Sequence, residues 1–352
     1  MCEKKKLFAP CTFAGLTLRN RICRSATNDY MGNADGTVSE KQLAVYRELA
    51  EQEVGLIFTG HACVCPDGRN DPNQNSMYDD RFLPGQRALT ELVHRCGGTI
   101  VQQLNHSGGK CPPAVIGGAP AAPSAMEYVP GVTAWALTQE EICRIEDDFA
   151  SAAVRAKAAG YDGVQIHCAH GYLLSEFIDP AWNQRNDCYG GSAENRFRIV
   201  RETILKVRAA VGEGYPVLLK LHANLAGNDP EFEHALLSML SFADEHGVAA
   251  AELSGFDFAS QPPEARCYYL DAARRLAEKT PLPLILVGGL RDRADMQSTL
   301  DAGVELVSAA RPFICQPDFI RIARAGGASA CRGCYGCFRS YQTTGKRCVL
   351  HR

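Results

Sequence analysis

Residues 138–167 read TQEEICRIEDDFASAAVRAKAAGYDGVQIH, a helix pattern that runs straight into a strand pattern. Thr138 and Glu141 have the spacing of a capping box, in which two side-chain oxygens take backbone N–H groups left unpaired in a first helical turn. Ile142, Ile145, Phe149, Ala152, Ala153 and Ala156 recur at the helical period and mark one apolar stripe. Gly160 suits the C-terminal stop, and the run 163–167 follows as a short strand.

The same unit recurs along the chain. Strand-like runs fall at 21–26, 54–60, 99–104, 163–167, 217–222, 249–254, 284–287 and 305–309. Helical patterns lie between them. Ser39 with Gln42 opens one by a second capping box, with Leu43, Tyr46 and Leu49 on one face, and another spans about 79–96. Phe197, Val200, Ile204, Val207 and Val211 stripe a further helix closed near Gly212. Asp229-Pro230 starts the next, one covers about 264–278, and Asp292 caps the last. The runs LLKL (218–221) and LILV (284–287) are apolar on both faces, as strands of a covered parallel sheet are. Eight βα units predict an α/β fold, a (β/α)8 TIM barrel over 1–326 with a Cys-rich C-terminal segment over 327–352. The rival doubly wound sheet lacks its G-x-G-x-x-G signature, and Gly109-Lys110 has neither the Ser/Thr nor the upstream glycine of a phosphate loop.

Composition narrows the function class. The chain has 352 residues, 46% hydrophobic and 22% charged, with 37 Lys+Arg against 40 Asp+Glu, so no basic footprint for nucleic acid exists. No apolar run reaches the ~18 residues of a membrane span, and the richest, 281–290, contains two prolines. The opening MCEKKKLFAPCTF has lysines but no apolar stretch behind them, and a cytoplasmic protein is the expectation. Of the sixteen cysteines, twelve are scattered among apolar neighbours, Cys23, Cys143, Cys168 and Cys315 among them, and read as small buried hydrophobes.

A barrel places its site where the strands end and the βα loops begin. Those ends carry Ala26-Thr27-Asn28, Gly60-His61, Gln103 with Asn105-His106, His167 with His170 and Tyr172, Lys220 with His222, Gly288-Gly289, and Ala310-Arg311. Glycines after strand seven suit phosphate held by backbone N–H groups. Taken singly, the His167-x-x-His170 pair reads as metal ligands or, more readily, loop hydrogen-bond partners, Tyr172 as packing and Gln103 as a satisfied loop amide. Lys220 does not, because a lysine inside an apolar strand is costly unless paired. The Pro/Gly/Ala-rich stretch 105–137 is placed to roof the pocket.

Residues 167–198, HCAHGYLLSEFIDPAWNQRNDCYGGSAENRFR, resemble the signature of the old yellow enzyme family, FMN-dependent NAD(P)H oxidoreductases that reduce activated alkenes. Supporting matches are LFAPCTFAGLTLRNRICRSAT (7–27), VQQLNHSGGK (101–110), VGGL (287–290) and GVELVSAARPFICQPDF (303–319). The resemblance implies that His167 and His170 bind a substrate carbonyl and Tyr172 gives a proton to its α-carbon. It implies that Ala26, Thr27 and Gln103 contact the flavin ring system and that Gly289, Ala310 and Arg311 hold its phosphate, with Ser25, Gly60, Lys220 and Gly288 also expected in the cofactor site. The family usually has Arg where Lys220 stands, and many members have Pro where Ala26 stands.

Cys331, Cys334, Cys337 and Cys348 form a separate set. Thiolates so spaced can hold a [4Fe-4S] cluster or zinc, or remain free. Longer family members similar to trimethylamine dehydrogenase and dienoyl-CoA reductase place an Fe–S cluster just after the barrel. The implied function is reduction of an α,β-unsaturated carbonyl compound, with NADH or NADPH as reductant and the nicotinamide and substrate visiting one pocket in turn. The alternatives are an iron–sulfur flavoprotein dehydrogenase or demethylase feeding a partner, a flavin-binding barrel without alkene chemistry, and a flavin-free lyase. The expected partner is a small molecule, not nucleic acid or membrane, with homo-oligomerisation left open.

Overall fold

In the computed structural model, which describes residues 5–225, 230–340 and 345–351, eight parallel strands close into a cylinder. They are β1 (Ile22–Arg24), β2 (Leu56–Phe58), β3 (Ile100–Asn105), β4 (Gly163–Cys168), β5 (Val217–His222), β6 (Ala250–Ser254), β7 (Leu284–Val287) and β8 (Leu306–Ala309). Each pairs with the next, and β8 returns to β1. The helices that flank the cylinder are α1 (Glu40–Glu51), α2 (Leu83–Arg95), α3 (Gln139–Ala158), α4 (Arg198–Val211), α5 (Pro230–Glu245), α6 (Leu270–Ala277), α7 (Arg293–Asp301) and α8 (Phe319–Arg324), with short helical turns at Pro113–Ile116, Leu173–Ile178, Ala193–Arg196 and Arg311–Cys315 in the loops. This is the (β/α)8 barrel that the repeated unit predicts.

The local signals act as expected. Ser39 with Gln42 and Thr138 with Glu141 both close complete capping boxes, and Asp292 accepts from the Asp295 N–H at 3.0 Å. Gly160 and Gly212 follow their helices at φ +90° and +75°, a conformation that costs glycine little. Asp229 lies outside the described residues. Two helices start later than their patterns suggest. The stretch before α2 is a separate 3-10 turn, Asp80–Phe82. Before α6, Cys267 sits at φ +49°, which no helix tolerates, so the loop runs on to Leu270.

Inside the cylinder the side chains stack in layers. The lower layer is apolar, with Cys23, Leu56, Phe58, Val101, Leu218, Ala250, Ile285 and Leu306 packed together. An N-terminal hairpin, Cys11–Phe13 against Leu16–Leu18, plugs this end with Phe13 and Leu18. Each fully buried aliphatic side chain there contributes about 1.5–3 kcal/mol. One pleat higher the layer turns polar and leads into the site. The stretch 105–137 folds into short pieces, including a hairpin of Glu127–Val129 against Val132–Thr133. Among the described residues no helix is long and apolar enough to cross a membrane.

One expectation about cysteines fails. Cys143 is exposed, as is Cys188, whereas Cys23, Cys168 and Cys315 are buried. Position 143 follows Ile142 and so turns about 100° off the α3 stripe, to the face where Lys206 Nζ meets its sulfur at 3.0 Å.

Candidate active site

The strand ends open into a cavity of about 540 Å³. Its wall includes Ser25, Ala26, Thr27, Gln103, His167, His170, Tyr172, Lys220, Gly288, Gly289, Ala310 and Arg311, residues drawn from six strand ends. Lys110 and Tyr128 of the 105–137 stretch contribute to the wall, so this stretch borders the pocket. Gly60 is the exception among the expected cofactor residues. It stands behind the wall, donating its N–H to Tyr46 Oη at 2.8 Å, and a Cβ there would come within 2.9 Å of the Thr27 carbonyl oxygen. Its glycine serves the close approach of two loops. His106 also misses the cavity. It packs instead with Cys65 and Asp67, whose candidate ligand atoms and its own lie within 4.8 Å of one another. Its Nδ1 accepts the Gly108 N–H at 3.0 Å, so a neutral ring keeps its proton on Nε2 and has no lone pair for a metal.

The floor is a hydrogen-bonded polar layer. Gln103 donates to Gln165 at 2.7 Å, Gln165 donates to Glu252 at 2.9 Å, and Ser308 donates to the other Glu252 oxygen at 2.7 Å. Lys220 Nζ lies 3.1 Å from Glu252 and 2.7 Å from Ser25 Oγ, with the lysine 2% and the glutamate 0% exposed. Burial lowers the lysine pKa and Glu252 opposes that shift. Burial works to raise the carboxyl pKa, but Lys220 and the donors Ser25, Ser308 and Gln165 outweigh it and hold the group below the usual value. The pair is ionised. Glu252 escaped the sequence reading because only the register, Lys220 opposite Glu252 across β5 and β6, reveals it as the needed partner.

The wall above the floor gathers imidazoles around Tyr172. Ring centroids of His167 and Tyr172 are 5.2 Å apart, His167 and His170 5.1 Å, and His61 and Tyr172 5.1 Å. Burial holds all three imidazoles well below their ordinary pKa, His61 down to about 3. They are therefore neutral donors or acceptors. His170 takes φ +64°, pinned by Ser254 Oγ at 2.9 Å from its Nε2 and by its own N–H donating to His222 Nε2 at 2.7 Å. His167 Nδ1 is buried without a hydrogen-bond partner among the described residues.

The network fixes the direction of the Tyr172 proton. Asn70 N–H donates to the Gln74 side-chain oxygen at 2.8 Å, so the Gln74 NH2 faces His61 Nδ1, also at 2.8 Å. A neutral His61 then carries its proton on Nε2, which lies 3.3 Å from Tyr172 Oη. Asn70 Nδ2 donates to the same oxygen at 3.1 Å. With two donors already pointing at the phenol oxygen, its own hydrogen is left for a group in the cavity. Burial raises the Tyr172 pKa, so the phenol stays protonated at neutral pH.

The opposite end presents glycines and a guanidinium. Gly289 sits at φ +69°, and a Cβ there would approach the Tyr268 ring to 2.6 Å. Arg311 donates to Tyr268 Oη at 2.9 Å and stacks 4.4 Å over the Tyr335 ring. Tyr335 belongs to the Cys-rich segment. Cys331, Cys334, Cys337 and Cys348 line one small cavity of about 20 Å³ beside Arg311, together with Cys315, whose sulfur is 3.7 Å from that of Cys348. Cys315 is thus not one of the scattered cysteines its apolar neighbours in the sequence suggest.

The family model for NADH:flavin oxidoreductase / NADH oxidase matches residues 6–328. The chain belongs to this family. It is a barrel of the old yellow enzyme type, whose members are oxidoreductases that pair flavin with NADH or NADPH. NADH oxidase of Thermoanaerobacter brockii is 32% identical over 373 residues, covering 100% of this chain and 56% of that protein. Morphinone reductase superposes with a TM-score of 0.83 at 26% identity, covering 93% of this chain and 91% of the reductase. A 2-naphthoyl-CoA reductase solved with 2-naphthoyl-CoA gives a TM-score of 0.91 at 21% identity, over all of this chain and 57% of that one, a likeness of fold. The chain thus spans little more than half of two of these relatives.

Proposed function

We propose that the barrel reduces the activated C=C bond of an α,β-unsaturated carbonyl compound, with FMN as cofactor and NADH or NADPH as reductant. The observation that carries this reading is the grouping of His167, His170 and Tyr172 on one cavity wall, with the Tyr172 hydrogen left free. The residues present suit FMN. Gln103 and Lys220 would hold the pyrimidine edge, while Gly288, Gly289, Ala310 and Arg311 would hold the phosphate. When bound there, FMN would supply the hydride chemistry that links a nicotinamide reductant to the substrate alkene.

The protein side of the reaction follows from the wall. His167 and His170, uncharged, offer N–H groups to the substrate carbonyl and draw electron density from the conjugated β-carbon. Negative charge that develops on the carbonyl oxygen meets preorganised donors rather than reorganising water. Tyr172 gives its proton to the α-carbon, and the phenolate left behind is met by the N–H groups of Asn70 and His61. Lys220, kept ionised by Glu252, keeps a cation at the floor. The test is anaerobic: enzyme reduced by NADH or NADPH is mixed with a panel of enones and enoates. Rapid reoxidation with a saturated product is expected, and a panel that leaves the flavin reduced would end this assignment.

The convergence of four C-terminal thiols favours a second element, a [4Fe-4S] cluster held by Cys331, Cys334, Cys337 and Cys348. Such a group would supply one-electron transfer to or from a partner. Iron and acid-labile sulfide in anaerobically purified protein support it, and the absence of both iron and zinc removes it.

A further inference from the structure

Five cationic side chains line the cavity: Lys110, Lys220, Arg291, Arg311 and Lys346. Four have protein acceptors. Lys110 donates to the His170 carbonyl at 2.8 Å, Lys220 to Ser25 Oγ, Arg291 to the Pro263 carbonyl, and Arg311 to Tyr268 Oη. Lys346 Nζ has neither a hydrogen bond nor an ion pair among the described residues. It lies 5.0 Å from the centroid of the Tyr30 ring and 4.2 Å from that of Phe338. Cys337, Asp29 and Asp71 are within electrostatic reach, but none closes to a hydrogen bond or an ion pair among the described residues. Asp29 instead accepts from the Met31 N–H and from Gln42, and Asp71 from Asn28 and the Asn73 N–H.

The position of this lysine is built rather than incidental. Its backbone N–H donates to the Asp29 carbonyl at 2.7 Å, in the loop that follows β1. Gly345 lies flat on that loop, where a Cβ would meet Met31 Cγ at 2.4 Å. Ser340 Oγ accepts the Arg347 N–H at 2.9 Å and braces the other flank. The Cys-rich segment therefore returns to the barrel and inserts a cation into the wall on the side of Tyr30 and His61.

We propose that Lys346 is an anion-binding residue of this pocket, taking a negatively charged oxygen group on the molecule that lies against the histidines and Tyr172. It extends the reading of the cavity given above, and the ligand class is an oxyanion. Two sources share that chemistry: the carboxylate of an enoate substrate, or a phosphate of the nicotinamide dinucleotide. A half-buried ammonium with no direct hydrogen bond or ion pair among the described residues has donors that a bound oxyanion can collect as charge-assisted hydrogen bonds.

The experiment compares wild-type FMN-loaded protein with Lys346→Met and Lys346→Arg, reading dissociation constants from the perturbation of flavin absorbance. The probes are cinnamate, its neutral methyl ester, and tetrahydroNAD, a nicotinamide analogue that cannot give hydride. Lys346→Met is expected to weaken cinnamate at least tenfold while the ester and FMN itself hold within twofold, and Lys346→Arg is expected to restore cinnamate. Loss of tetrahydroNAD in place of cinnamate assigns the oxyanion to the dinucleotide. Equal loss of ester and acid, weakened FMN, or no change in either anion overturns the proposal. Should neither cinnamate nor its ester bind wild-type protein, the alkene reading falls, and Lys346 is still judged by the tetrahydroNAD arm.

Discussion

Glu252→Gln removes one partner of an ion pair whose members are 2% and 0% exposed and 3.1 Å apart. The glutamine keeps the shape, with its carbonyl oxygen toward Gln165 and Lys220 and its NH2 toward Ser308, so the loss is electrostatic: Lys220 is left as a buried charge that meets only neutral oxygens. Breaking a buried pair from one side costs about 3–5 kcal/mol, and Lys220→Met, which strands Glu252, should cost a similar amount. The double variant removes both charges and should lose less than the sum, with a coupling of about 2–3 kcal/mol. Urea unfolding of all four proteins at pH 7 measures this cycle. The FMN concentration is held constant and each FMN dissociation constant measured, because ligand binding adds its own stabilisation. Single variants that each cost under about 1 kcal/mol, or a double variant that is simply additive, would refute the ionised buried pair.

Tyr172→Phe should slow reoxidation of the reduced enzyme by an enone by about 10²–10⁴-fold and leave its reduction by nicotinamide near wild type, as stopped-flow traces of the two half-reactions will show. Gly289→Ala would press on the Tyr268 ring at 2.6 Å and so disturb the hydroxyl that holds Arg311; FMN affinity, read by fluorescence, should fall at least tenfold. His106 is buried with its pKa pulled down to about 4, against about 6.5 when unfolded, so native protein resists a proton that the unfolded chain accepts. That penalty is absent above pH 6.5 and grows to about 3 kcal/mol by pH 4; the stability difference between wild type and His106→Gln should shift by that amount across this range.

The barrel was legible because its evidence is local. A capping box or an apolar stripe is decided within one turn or one helix, and Thr138–Glu141 and the Phe197–Val211 stripe both appear where their residues put them. Strand ends were legible for the same reason, which is why twelve of the thirteen strongest site residues share one cavity wall while Gly60 alone stands behind it. What escaped depends on which strand or loop faces which. Lys220 announced the need for a partner, but choosing Glu252 takes the β5–β6 register. His61 and Asn70 become partners of Tyr172 only once three loops converge, and Lys346 reaches the cavity across more than 300 residues of chain to Asp29.

Gln42 gives the first turn of α1 an influence far beyond its own helix. Its side-chain oxygen completes the capping box with Ser39, and its NH2 holds the Asp29 carboxylate at 3.0 Å, in the same residue whose carbonyl anchors Lys346. An outer helix and the Cys-rich segment thus share one peg. On the role proposed for Lys346, substitutions at Ser39 or Gln42, remote from any reactant, would gain leverage over which reactants the chamber admits without disturbing a group that does chemistry.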